Sequence, residues 1–132
     1  MTDELSPRPE RDPGPTTDDP LAATAAEDAV RDIAEVPAVE IVTTVALHLM
    51  TAAAVKCGLG ERGEAEQDLA EARILINSLA ALVTAAAPDL GTFHAGPLRD
   101  GLKSVQLAFR EASPVPDAPG QGPGEKFTGP VR

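Results

Sequence analysis

The sequence has 132 residues, a net charge of −10, one cysteine, and no tyrosine or tryptophan. This length allows one domain, and a lone cysteine excludes an intrachain disulfide and fits a reducing compartment. Residues 23–113 alone carry a charge of −6 with scattered basic residues, which disfavours direct binding to nucleic acid.

The first 20 residues contain five prolines among acidic and small polar residues, a composition that predicts a disordered arm. They lack the basic start and continuous apolar stretch of a secretory signal, so we expect a cytoplasmic protein. Asp19 and Pro20 then resemble a helix cap and first helical residue. They introduce an alanine-rich helix over Leu21 to Val36, whose order the sequence leaves open.

The next helix is predicted over Ala38 to Cys57, where apolar residues fill about half of the helix circumference. One neighbouring helix cannot cover an arc of this width. The uncharged stretch Ile41 to Val55 is too short and too polar on one side for a membrane span. We therefore expect this helix to pack against protein.

Gly58 to Gly63 reads GLGERG, which matches the glycine string of dinucleotide-binding turns. That motif functions only between a strand and a helix, and here a helix precedes it. The segment is interpreted as a glycine helix end followed by a short connection.

Two further helices follow. The first is predicted from about Glu64 to Ala86, with acidic residues near its start that complement the helix dipole. A turn at Pro88 to Gly91 and a connection over residues 92–96 separate it from a third helix, which opens at Gly96-Pro97 and ends at Ser113. The fold class is thus an all-α domain of three, or four, helices over residues 21–113, with its core at 38–112.

Residues 114–132 are rich in proline and glycine and are predicted to be a second disordered tail. Phe127 is the one aromatic residue of this tail. It is either part of an inert tail or the anchor of a short binding motif that becomes ordered on contact.

The side chains that could carry chemistry are few and dispersed. Cys57, His48 and His94 are the only thiol and imidazole ligands, and their spacing does not fit a zinc site. No nucleophile stands in a recognisable catalytic arrangement. We expect no enzymatic activity, no catalytic or metal-binding residues and no cofactor.

Several features from Val39 to Glu111 resemble an uncharacterised bacterial family, domain of unknown function 1844 (DUF1844). They are Leu47-His48-Leu49-Met50, the Leu59-Gly60 exit, the helix start at Asp68 to Arg73, and the seam from Leu102 to Phe109. The turn at Pro88 to Gly91 departs from the Gly-Asn-Leu type of other members. The resemblance implies an all-helical cytoplasmic domain and no activity. In actinobacterial relatives the gene often lies beside translation-factor and ribosomal-protein genes, so the resemblance implies a translation-linked partner.

The leading functional prediction is a homodimeric helical interaction module, because the apolar surface exceeds what three short helices cover among themselves. The candidate interaction residues are Ile41, Val45, Leu49, Leu75, Leu82 and Phe127. The first alternative is a translation-associated factor that docks on a ribosomal or initiation-factor protein through its acidic surface. The second is a membrane-surface protein, although no membrane partner is the main expectation.

Overall fold

A computed structural model describes residues 24–27 and 33–132. Residues 24–27 and 33–35 are helical, as predicted for this part of the 21–36 helix, whereas the predicted arm over 1–20 lies outside the described residues. The chain divides after Pro37, and residues 38–132 form a compact unit of their own. Every regular element in the described ranges is helical, which confirms the all-α class.

Helix α1 spans Ala38–Ala54 and is continued by a wider π-helical turn over Val55–Leu59. Gly58 has a φ of 95°, a left-handed conformation that glycine adopts without steric cost. The predicted glycine helix end is therefore confirmed, and the GLGERG string forms a link between two helices. A short 3-10 helix, Gly63–Glu66, begins at the last residue of that string and extends the link.

Helix α2 spans Leu69–Leu90, so its predicted start at Glu64 is wrong by more than one turn. Asp68 has an extended backbone, and its carboxylate accepts a hydrogen bond from the Glu71 N–H at 3.1 Å. This contact satisfies a backbone donor that the first turn leaves unpaired. The Asp68 start that the family resemblance implied is the one observed.

Helix α3 spans Thr92–Ala112, and the predicted turn and connection over residues 88–96 are reduced to Gly91. Gly91 has a φ of 80° and ends α2 by donating its N–H to the carbonyl oxygen of Ala87. Pro88 and Pro97 lie inside helices, where each removes one backbone donor. Ala87 and Ala95, on either side of the bend, are buried.

The core lies between these three helices and consists mainly of small and aliphatic side chains. Gly101 of α3 allows the close approach of α1, because a Cβ at that position would collide with the thioether of Met50. The buried apolar residues are Ala46, Ala53, Cys57, Ala72, Ile76, Leu79, Ala80, Val83, Ala87, Ala95, Leu98, Leu102, Val105 and Phe109.

Residues 114–132, here called the C-terminal segment, differ from the expected disordered tail. They lie along α2 and α3 and include a short helix α4, Glu125–Thr128. The side-chain oxygen of Asn77 accepts the Gly124 N–H at 2.7 Å. The amide of Gln106 donates to the Pro123 carbonyl and the Thr128 hydroxyl, both at 3.1 Å. Polar anchors on the helices thus order a segment that has few large apolar residues.

A buried carboxylate holds the C-terminal segment closed on itself. One oxygen of Glu125 accepts the Gly122 N–H at 2.6 Å, and the other accepts the Val131 N–H at 2.7 Å. Farther along the helices, Arg73 forms an ion pair with Asp117 at 2.9 Å, and Arg110 donates to the Val131 carbonyl at 2.9 Å. The amino-acid composition of the segment does not predict these contacts, because they depend on partner residues in α2 and α3 that are distant in the sequence.

Candidate interaction surface

One flank of α1 remains apolar and exposed. The buried residues Ala46 and Ala53 define the core-facing side, and Met50 is turned from it toward Gly101 of α3. At 3.6 residues per turn, Val45 and Ile41 lie about 100° and 140° around the helix axis from Ala46, on the side opposite to Met50. They are therefore turned away from α3. Val45 is 46% exposed and Ile41 is 39% exposed.

The neighbouring flank of α2 is also apolar. Ile76 is fully buried, whereas Leu75 and Leu82 lie about 100° and 120° to one side of it and are half-buried. Asn77 and Ala80 occupy the other side, where they contact Gly124 of the C-terminal segment. Leu75 and Leu82 thus lie on the flank of α2 that does not meet that segment.

The two flanks form one surface because α1 and α2 are joined by the short link and pack along their lengths. The N–H of Asp68 donates to the carbonyl of Lys56 at 2.8 Å, which holds the two helices side by side at that end. We call the combined surface the α1–α2 face. It contains five of the six predicted interaction residues, namely Ile41, Val45, Leu49, Leu75 and Leu82.

The sixth predicted residue, Phe127, lies elsewhere. It belongs to α4, is 39% exposed, and its ring centroid lies 5.1 Å from the Lys126 ammonium nitrogen. It lines a cavity between α2, α3 and the C-terminal segment. The structure therefore separates the predicted interaction residues into one face and one isolated aromatic.

The soft and imidazole side chains are kept apart. Cys57 is buried, and desolvation by that burial raises the pKa of its thiol. His48 and His94 are exposed on α1 and α3, and the His94 ring meets Phe93 edge-on at 5.2 Å. Within the part of the chain that the structure describes, no three His, Cys, Asp or Glu residues are grouped to hold a metal ion.

Two stretches, Ala38–Leu59 and Leu69–Leu90, are long and apolar enough to cross a membrane by length and composition. Core helices of water-exposed domains pass the same test, so this criterion is weak. These stretches contain α1 and α2, the helices that form the α1–α2 face.

The family model for DUF1844, a domain of unknown function, matches residues 38–111, which is more than half of the chain. The chain belongs to this family. The match begins at the start of α1 and ends one residue before the end of α3. The DUF1844 region thus corresponds to the three long helices, and the C-terminal segment lies outside the matched region. No curated protein and no solved structure matches the chain.

Proposed function

We propose that this DUF1844 protein is a non-enzymatic interaction module that forms a homodimer through the α1–α2 face. The supporting observation is that Ile41 and Val45 are large aliphatic side chains left exposed beside the half-buried Leu49, Leu75 and Leu82. Complete burial of a fully exposed side chain of this size contributes about 1.5 to 3 kcal/mol, so covering the 39% of Ile41 and the 46% of Val45 that remain exposed contributes roughly 1 kcal/mol each. Several such contacts on each subunit can together stabilise a dimer.

A second copy of the chain is a suitable occupant for physical reasons. Pairing two α1–α2 faces about a twofold axis gives a four-helix arrangement, and each copy then supplies the apolar surface that the other lacks. The three-helix core is small, and domains of this size commonly gain stability by association.

The test compares two variants on one helix. Val45→Glu places a carboxylate on the α1–α2 face, whereas Leu47→Glu places one on the other flank of α1, where Leu47 is 52% exposed. Light scattering of the full chain from about 1 to 100 µM should show a dimer for the native protein and Leu47→Glu. Val45→Glu should be monomeric, because a carboxylate buried without a partner costs several kcal/mol. A native monomer throughout, or equal dissociation by both variants, would disprove the proposal.

The acidic surface favours a second candidate, a translation-associated factor that docks on a basic ribosomal or initiation-factor protein. Residues 23–113 carry a net charge of −6, which suits a basic protein surface. Co-sedimentation with ribosomes that weakens steadily as salt rises is the expected result, since ions screen such docking. Absence from the ribosome pellet at low salt would exclude this candidate.

The apolar length of α1 and α2 favours a third candidate, a membrane-surface protein. In that case the α1–α2 face would lie against lipid, and binding to neutral vesicles would survive a salt wash and be lost in detergent. Val45→Glu would then abolish flotation with vesicles, and Leu47→Glu would not. Absence of flotation for the native chain would leave the protein dimer as the occupant of this face.

A further inference from the structure

A cavity of about 650 Å³ lies where the end of α2, the middle of α3 and the C-terminal segment meet. This volume falls within the range of about 300 to 1,000 Å³ that is typical of small-molecule sites. It lies on the part of the molecule that faces away from the α1–α2 face. The lining residues from the helices are Val83, Thr84, Pro88, Arg99, Leu102, Lys103 and Gln106, and those from the C-terminal segment are Phe127, Thr128, Pro130, Val131 and Arg132.

All charged side chains of the residues that line this cavity are cationic, although the protein as a whole is acidic. Arg99 and Lys103 stand one turn apart on α3, and Arg132 is among the residues that line the cavity from the C-terminal segment. Among the described residues, the ion pairs involve only Arg62 and Arg73, so Arg99 and Lys103 have no carboxylate partner within 4.0 Å there. An unpaired group of cations beside a cavity attracts an anionic ligand.

The same flank of α3 shows what these donors can bind. Farther along the helix, Gln106 and Arg110 donate to the main-chain carbonyls of Pro123 and Val131. Arg99 and Lys103 continue this row of donors toward the N-terminal end of α3. There they line the cavity instead of donating to carbonyls of the C-terminal segment. An oxyanion at this end would accept hydrogen bonds as the carbonyl oxygens do farther along.

The rest of the cavity is apolar. Val83 and Leu102 are buried at its base, and Pro88, Phe127 and Pro130 form walls. We infer that this cavity binds a small anionic amphiphile, with a carboxylate or phosphate head at Arg99 and Lys103 and an apolar body against Phe127 and the proline walls. This inference is independent of the proposed dimer, because it uses a different surface.

Calorimetric titration of the full chain tests this inference with four probes below their micelle concentrations. Octyl phosphate and decanoate carry both the head and the apolar body, whereas octanol lacks the charge and inorganic phosphate lacks the body. One-site binding of either amphiphilic anion, at least about tenfold tighter than that of octanol and of phosphate, supports the site. The tighter of the two anions identifies the head group. Equal binding of octanol, or binding of neither anion, overturns the inference.

Two double variants remove equal charge from different places. Arg99→Gln with Lys103→Gln should weaken binding of the amphiphilic anion at least tenfold. Lys56→Gln with Arg62→Gln, near the link between α1 and α2, should leave the affinity unchanged. Equal weakening by both would reveal general charge attraction and overturn the site. All four side chains are exposed or half-buried, so the variants should fold, which circular dichroism verifies.

Phe127→Ala provides a second, uncharged test of the same cavity. It should weaken binding of decanoate or octyl phosphate and leave the weak binding of inorganic phosphate unchanged. In addition, methyl resonances of Val83 and Leu102 should shift on titration with the native chain. Titration shifts confined to residues outside the cavity would contradict the assignment.

Discussion

Cys57 is the only thiol in the chain, and its reactivity depends on the surrounding core. Burial raises the pKa of Cys57 above its ordinary value of 9.0, so the thiolate that reacts with alkylating reagents is scarce in the folded protein. We expect iodoacetamide at pH 8 to modify Cys57 slowly in buffer and rapidly in urea. Mass spectrometry over time measures both rates, and equal rates would show that the side chain is accessible.

The raised pKa also predicts how stability depends on pH. Above pH 9 the unfolded chain releases the Cys57 proton while the folded chain retains it, so the free energy of unfolding falls as pH increases. Urea denaturation at pH 8 and pH 10 should show a larger fall for the native protein than for Cys57→Ala. Cys57→Ala is the control, because its lysines titrate over the same pH range. An equal fall in the free energy of unfolding for both proteins would contradict this effect of Cys57.

Gly124 provides a test of the contact between the C-terminal segment and the helices. It has a φ of 76°, and a Cβ there would lie 2.9 Å from both Ala80 Cβ and Gln106 Nε2. Gly120 has a φ of 83° and open space around it, so Gly120→Ala introduces similar backbone strain without the collision. We expect Gly124→Ala to reduce the free energy of unfolding by about 1 to 3 kcal/mol more than Gly120→Ala does. Chemical denaturation measures both, and equal losses would argue against tight packing at Gly124.

Individual polar residues explain what composition missed in the C-terminal segment. Gln106 lies at the edge of the apolar seam of α3 and is buried, where an amide needs hydrogen-bond partners. A buried amide requires acceptors, which here come from the C-terminal segment. The sequence did not indicate which part of the chain supplies them, since Pro123 and Thr128 lie well beyond the end of α3.

At the level of elements, helical periodicity predicted the three long helices but located their ends less well. Periodicity depends on which side chains are buried, so it identifies the interior of a helix. The ends depend on backbone contacts such as the Asp68 cap and the Gly91 bend. The prolines at 88 and 97 predict helix boundaries, yet each is accommodated within a helix at the cost of one hydrogen bond.

Removal of the C-terminal segment is a test at this same scale. A chain ending at Ser113 loses the bonds made by Asn77 and Gln106, and it exposes Ala80, which Gly124 contacts. Because a net hydrogen bond contributes about 1 kcal/mol, we expect the free energy of unfolding to fall by roughly 2 kcal/mol or more. The three long helices should persist, so helical ellipticity at low temperature should change little.

A chain ending at Ala118 serves as the intermediate control for this truncation. It retains the ion pair of Arg73 with Asp117 and loses every contact made by Pro123 to Val131. Since an exposed ion pair contributes little, this chain should be nearly as unstable as the one ending at Ser113. Native-like thermal stability of either truncated chain would show that the segment does not stabilise the helices.

At the scale of the whole molecule, only part of the apolar excess in the sequence lies on the α1–α2 face, because Leu47, Phe93 and Val115 are exposed elsewhere. The periodic pattern of apolar residues predicts more apolar surface on α1 and α2 than the two helices can bury against each other. It does not show which part of that surface the third helix covers. Met50 against Gly101 places α3 on one side of α1, and Ile41 and Val45 remain on the other. The position of the exposed surface thus depends on the packing order of the helices, which a single sequence does not specify.

Thermal unfolding connects this surface to the stability of the whole molecule. If two chains associate before they unfold, mass action makes the unfolding midpoint rise with protein concentration. We expect the midpoint of the native chain and of Leu47→Glu to increase by several degrees between about 2 and 200 µM. Val45→Glu should have a lower midpoint that does not change with concentration, because its folded state is a single chain. A constant midpoint for the native chain would mean that the three helices and the C-terminal segment are stable without a partner on the α1–α2 face.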